Sequence, residues 1–315
     1  MLDNIRQAVG KTPLVAVDRI AAGFPARVAV KLEFYSPGGS IKDRPALAII
    51  EAAERDGTLK KGQVVIEKTS GNMGGGLAWV CAVKGYKFIA VMSAGNTPER
   101  RQMIRAFGGR VEVVPQAKGA KKDQVSREDL DLVEIRTAQL VKKYKAYRPD
   151  QFNNPNSVAA HERGTGPEIW EQTGGKVTHF ISYAGSSGTL IGTAKALKAR
   201  NRDIQCYVAE PLSAQFFAGK KIRSTSHVIQ GGGYATMPGF YDASVVDGSI
   251  PVSDAEALKM ARLLAAKEGI MAGFSSGANL AAALKIAKKA KPGSLVVTVC
   301  CDTGLKYLST ELYRE

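Results

Sequence analysis

The segment Pro37-Gly38-Gly39-Ser40-Ile41-Lys42-Asp43-Arg44 sets a lysine between a glycine-rich turn and a helical pattern. A cation sits poorly against the positive end of a helix dipole. The position therefore favours the neutral amine, the form that attacks a carbonyl carbon and makes a Schiff base. From this segment alone, a lysine reaching into solvent is the competing reading. Three more glycine-containing turns open helical patterns: Thr69-Ser70-Gly71-Asn72-Met73-Gly74, Gly185-Ser186-Ser187-Gly188-Thr189 and Gly273-Phe274-Ser275-Ser276-Gly277. A turn from a strand into a helix points backbone N–H groups at its ligand and suits an anion. The turn at 185–189 is the best phosphate candidate, with small residues for close approach and three hydroxyls as extra donors. No Gly-Lys-Ser/Thr follows it and G-x-G-x-x-G spacing is absent, so it is neither a Walker loop nor a dinucleotide fingerprint. On its own it reads equally well as a plain strand–helix connection. The turn at 69–74 brings hydroxyls and a carboxamide together, a set that could hold a carboxylate or simply cap a helix.

The surrounding periodicity supplies elements to carry these turns. Residues 28–32, 64–66, 88–92 and 111–114 read as strands, and so do 179–183, 205–209 and 295–299. Between them, 44–55, 77–84, 98–107 and 190–200 read as helices, with Ala46, Ile49, Ile50 and Ala53 on one face of the first. Strands alternating with helices predict parallel α/β layers. A polar stretch over 116–148, helical over 130–144, separates two such rhythms. A loop at 151–156 marks the boundary.

The net charge of +15 is scattered rather than gathered into one face. Its densest runs are Lys118, Lys121 and Lys122, then Lys142, Lys143 and Lys145, then Lys285, Lys288, Lys289 and Lys291. The last two runs have helical spacing and read as solvated helix faces. Tyr144 is the one aromatic residue inside them, too little interleaving for a nucleic-acid surface. The four cysteines contain no C-x-x-C pair, so no metal site is expected. Cys300 and Cys301 read as buried strand residues. The start of the chain is not of signal-peptide type, and no run approaches ~20 apolar residues. A reducing cytoplasm is the expected compartment.

Taken together, these segments resemble the fold-type II pyridoxal-phosphate enzymes, in the cysteine synthase and cystathionine β-synthase branch. The resemblance runs from Gly10-Lys11-Thr12-Pro13-Leu14 through Pro37 to Arg44 and Thr69 to Gly74. It continues with Glu99-Arg100-Arg101, Gln151-Phe152-Asn153-Asn154-Pro155 and Gly164-Thr165-Gly166-Pro167-Glu168. It ends with Gly185 to Thr189, Ile229-Gln230-Gly231, Gly273 to Gly277 and Asp302-Thr303-Gly304. It implies two α/β domains, each a mostly parallel twisted sheet flanked by helices, with the active site in the cleft between them. Residues 36–152 would form a smaller, mobile domain. Residues 1–35 with 153–315 would form the larger one.

By the same resemblance, Lys42 is the Schiff-base lysine and catalytic base, and pyridoxal 5'-phosphate is the cofactor. Asn72 bonds the cofactor's 3-hydroxyl oxygen, Gly185, Ser186, Ser187, Gly188 and Thr189 form its phosphate cup, and Ser275 faces its pyridine nitrogen. Thr69, Ser70, Met73 and Gln151 clasp the substrate carboxylate, Met73 through its backbone amide. Gly231 lies in the loop beside the substrate. Asp302 and Tyr307 are read as structural. The implied reaction replaces or eliminates a group at the β-carbon of an amino acid, as in making cysteine from O-acetylserine and sulfide. Partners would be an amino acid, a small nucleophile and a second copy in a homodimer. Other readings are a cystathionine or diaminopropionate-precursor synthase, a cysteine lyase, a serine dehydratase, or an inactive binding homologue. The chain departs from the family's usual Gly-Thr-Gly-Gly-Thr cup, from threonine at Met73, from the usual loop at 231–236 and in the length of the 116–148 connection. All but the first departure lie near the substrate side.

Overall fold

The computed structural model describes residues 1–69, 71–119 and 125–314. Its strands are β1 (Leu14–Ala16), β2 (Arg27–Leu32), β3 (Val65–Lys68), β4 (Phe88–Ser93), β5 (Arg110–Val114), β6 (His179–Tyr183), β7 (Gln205–Pro211), β8 (Gly248–Val252) and β9 (Leu295–Cys300). Its α-helices are α1 (Asp43–Arg55), α2 (Asn72–Lys84), α3 (Pro98–Ala106), α4 (Arg127–Tyr144), α5 (Asn156–Ala160), α6 (Gly166–Gln172), α7 (Gly188–Lys198), α8 (Asp254–Glu268) and α9 (Phe274–Ala287).

The strands form two sheets. One has the order β3-β4-β5 and the other β1-β2-β9-β6-β7-β8. Every pair is parallel except β1 with β2. β4 shows why: all six of its residues, Phe88 to Ser93, are buried, as expected of a strand covered by helices on both faces. Parallel neighbours need crossover connections, and the helices supply them. The three strands of the small sheet fall within residues 36–152, and the six of the large sheet fall outside that range.

Several elements differ from the sequence reading. β1 is three half-buried residues, too short to show a period. β8 carries Pro251 at the sheet edge, where a missing N–H is tolerated. α2 begins at Asn72 rather than near 77, and so contains Gly74, Gly75 and Gly76. Glycine is a poor helix former, but here it lets helices approach. A Cβ on Gly76 would lie 2.9 Å from the Ala46 Cβ and 3.0 Å from the Lys42 carbonyl. The 116–148 connection is largely α4, opened by a Ser126–Asp129 capping box and packed through Val133 and Leu140. Cys300 ends β9, whereas Cys301 lies beyond the strand and is only partly buried. Lys121 and Lys122 lie outside the described residues.

Candidate active site

Lys42 immediately precedes α1, and its segment is tied to the large sheet by the Ile41 N–H, which donates to the Cys301 carbonyl at 2.7 Å. The Lys42 amine opens into a cleft also lined by Thr69, Asn72, Met73, Gln151, Gly185, Ser186, Thr189, Gly231 and Ser275. Burial pulls its pKa down, and Cys301 and Asp302 oppose that only in part. Among the described residues no carboxylate forms an ion pair with it. Burial, rather than the helix dipole that the sequence alone points to, is the larger cause.

The turn after β6 brings Ser187 to a φ of 66°, from which α7 starts at Gly188 with no side-chain cap. The first N–H groups of a helix have no intrahelical acceptor, so they face whatever occupies the turn. Among the described residues the buried Ser187 hydroxyl has no partner. Thr189 is 3.2 Å from His161 Nε2, and His161 Nδ1 is 2.9 Å from the Thr165 hydroxyl. Burial first, and then the nearby Arg44 charge, pulls the His161 pKa well below its ordinary value. Lys42, Ser157, His161, Ser186, Gly188 and Thr189 surround one small cavity. Gly188 backs onto α5, where a Cβ would lie 3.2 Å from the Ser157 carbonyl oxygen. Gly185 is the tighter position, since its Cβ would run into the Gly231 carbonyl oxygen.

On the other wall, the Thr69 hydroxyl accepts from the N–H groups of Gly71 at 3.0 Å and Gly74 at 2.9 Å. Its own hydrogen remains for the cleft. Ser70 lies outside the described residues. Met73 is buried in the first turn of α2. Gln151 donates through Nε2 to the Lys68 carbonyl at 2.9 Å, leaving a second Nε2 hydrogen. Gly231 has a φ of 96°. Asn72 donates to Asp302 Oδ2 at 2.7 Å, and the Tyr307 hydroxyl donates to the same oxygen at 2.6 Å. Ser275 sits in the first turn of α9, behind an N-cap at Gly273, and interacts with the Cys301 thiol, which burial pushes up to about 12.

The pyridoxal-phosphate dependent enzyme family matches residues 5–302. The chain belongs to that family. It is 40% identical over 313 residues to a cysteine synthase of Staphylococcus aureus, covering 99% of this chain and 97% of the relative. Among solved structures, O-ureido-L-serine synthase superposes with a TM-score of 0.90 at 37% identity, over 99% of this chain and 95% of the other. A cysteine synthase from Entamoeba histolytica superposes with a TM-score of 0.90 at 35% identity, over 99% and 91%.

The enzyme is pyridoxal-phosphate dependent, and its cleft fits that group. A buried amine without a counter-ion suits a carbonyl partner. The uncapped start of α7 and the partnerless Ser187 hydroxyl suit a phosphate. The cleft also holds residues that sequence reasoning passed over. Arg100 donates to Gln230 at 2.7 Å and to the Tyr307 hydroxyl at 2.6 Å. Arg100 stood in a quoted motif without a role. His161 carried no sequence signal beyond being one of three histidines. Cys301 was read as strand interior. Lys306 had no local signal at all.

Proposed function

We propose that the enzyme replaces the β-substituent of an activated serine, making cysteine from O-acetylserine and sulfide. The observation that carries this reading is the Lys42 amine, buried without a counter-ion in the cleft that faces the start of α7. Lys42 would hold the cofactor, and its freed amine would take the Cα proton as general base. Its lowered pKa keeps a lone pair available for that step. The cofactor, when bound, supplies the electron sink for the Cα–H bonding pair. Thr69 and Gln151 hold the substrate carboxylate through the hydrogens they keep free. Ser275 is the hydroxyl that would face the pyridine nitrogen, and a hydroxyl would not hold that nitrogen protonated as a carboxylate would. The electron sink is then modest, and loss of the acetate from Cβ outpaces other fates at Cα. Sulfide adds at Cβ, and Lys42 returns the proton to Cα.

A second nucleophile is favoured by the loop Gly231-Gly232-Gly233-Tyr234, which departs from the cysteine synthase pattern and lines the cleft through Gly231 and Tyr234. The O-ureido-L-serine synthase likeness makes hydroxyurea a candidate. The protein is expected to act as a cytoplasmic homodimer. The test is a panel of O-acetylserine with sulfide, thiols and hydroxyurea, scored by mass spectrometry of the products. Cysteine as the fastest product is expected. A faster product from another nucleophile would replace sulfide in this reading. Lys42→Ala should abolish all of them. Borohydride reduction and peptide mapping should place the phosphopyridoxyl group on Lys42, and a different labelled lysine would overturn the assignment.

A further inference from the structure

Lys306 lies in the short helical turn Gly304–Tyr307 and is 3% exposed. Its Nζ donates to three oxygens: the Gly38 carbonyl at 3.0 Å, the Gly39 carbonyl at 3.1 Å and Asn72 Oδ1 at 3.1 Å. All three acceptors belong to the segments that shape the cleft around Lys42. We propose that Lys306 is a positioning residue for the reaction: its ammonium group fixes the Asn72 amide and the glycine turn that leads into Lys42. The proposal rests on the assignment of Lys42 and Asn72 to the cofactor.

The amide orientation follows from donor and acceptor types. Lys306 can only donate, so the Asn72 atom facing it is the oxygen. Asp302 Oδ2 accepts from Asn72, so the atom facing it is the nitrogen, at 2.7 Å. One Nδ2 hydrogen is spent on Asp302 and the other is left for the cleft. Among the described residues no other donor holds Oδ1, so without Lys306 the amide could turn its oxygen toward the ligand.

The turn is gripped from two sides. Asp43 Oδ2 accepts from the Gly38 N–H at 2.8 Å, and Asp43 Oδ1 accepts from Trp79 Nε1 at 2.9 Å. Lys306 takes the carbonyls of Gly38 and Gly39 on the opposite side. Gly39 has a φ of 66° and also accepts the Thr303 N–H at 3.2 Å. Lys42 stands three residues beyond Gly39, so a shift of the turn moves its amine.

Three acceptors need three N–H hydrogens, which an ammonium has and a neutral amine lacks. The charged groups that act on Lys306 are Asp302 at the end of β9, Asp43 on α1 and Arg100 on α3, with the Tyr307 phenol as its chain neighbour. Burial pulls its pKa down to about 8; Asp302 and Asp43 raise it, and Arg100 lowers it. Above that pH the amine drops one of its three bonds and the network loosens.

The test uses holoenzyme between pH 6 and 9.5, with cofactor affinity, the cofactor absorption band and kcat/KM as readouts. In the wild type, affinity and kcat/KM should fall through one proton with a midpoint near 8. Lys306→Arg keeps its charge and more than three donors, so it should move that limb beyond pH 9.5 while keeping kcat/KM at pH 7 within a few-fold. Lys306→Met should lose at least tenfold in kcat/KM at pH 7 and shift the absorption band. An unchanged alkaline limb in Lys306→Arg would overturn the proposal. If neither variant folds, the wild-type titration decides, because affinity that stays flat from pH 6 to 9.5 overturns it too. Affinity does not depend on the nucleophile, so an error in the sulfide reading leaves this readout standing.

Discussion

Arg44 and Glu168 meet through two bonds, Nη1 to Oε1 at 2.7 Å and Nη2 to Oε2 at 2.8 Å. Arg44 lies two residues past Lys42 and also grips buried Glu33 at 2.7 Å, while Lys31 reaches the other side of Glu168 at 2.7 Å. The start of α1 is thereby bolted to α6 and β2. Burial pushes the Glu168 pKa up, but the Arg44 and Lys31 bonds and charges prevail and hold it near 2. Glu168→Gln leaves two cations short of a partner, and such a break costs about 3–5 kcal/mol. Because the folded-state pKa is depressed, this stability is present above about 4.5 and is lost as pH falls toward 2. Urea denaturation of both proteins should show a gap at pH 7 that closes toward pH 3. A gap independent of pH would show that the charge is not what stabilises.

Glu67 titrates in the opposite sense. It is fully buried at the end of the small sheet, one Oε is without a partner, and burial raises its pKa to about 7 against the pull of Arg148. A raised carboxyl pKa means the fold prefers the protonated acid. Stability is then lost as pH rises from about 4.5 through 7. Glu67→Gln keeps an oxygen for the Gln151 N–H and carries no charge. It should be more stable than the wild type at pH 8, by up to about 3 kcal/mol, and close to it at pH 4.5. A variant less stable at pH 8 would show that the ionised Glu67–Arg148 pair is the favoured state.

The phosphate turn is tested best at Gly185. An alanine there would drive its methyl group into the Gly231 carbonyl oxygen, so either the turn or the loop must move. Cofactor affinity should fall at least tenfold, about 1.4 kcal/mol. Gly188→Val strains the turn differently, by pressing on Ser157 of α5. Titration of apo-enzyme followed by absorbance measures both, and unchanged affinity in both would take this turn out of the site.

On the proposed reading, Ser275 would govern the fate of the reaction at Cα. Ser275→Asp would hold the pyridine nitrogen protonated and strengthen the electron sink. Elimination from O-acetylserine should slow, and racemised or transaminated products should rise. Chiral chromatography of the products reads both. Full elimination activity without new products would remove Ser275 from the pyridine nitrogen.

The α/β rhythm, the strand-to-helix glycine turns and the lysine at the mouth of α1 were legible in the sequence, because they are set by local periodicity and turn chemistry. β4 announces itself as a run of apolar residues, and Gly185 to Thr189 as a turn into a helix. The ligand roles proposed for such turns rest on the order of the motifs, not on any single turn. Other features were not legible. β1 and β8 exist because neighbouring strands pair with them, not because of their own pattern. The start of α2 depends on α1 needing its glycines to come close. The Lys42 pKa is lowered mainly by burial, which sums over residues distant in the chain. Lys306 reaches Asn72 across 234 positions of sequence, and Arg100 reaches Gln230 across 130. Neither contact leaves a local trace, since a lone lysine or arginine looks like any solvated charge until the fold removes its water. Tertiary structure decided which charges are buried, what each must pair with, and so which protons the cleft can hold.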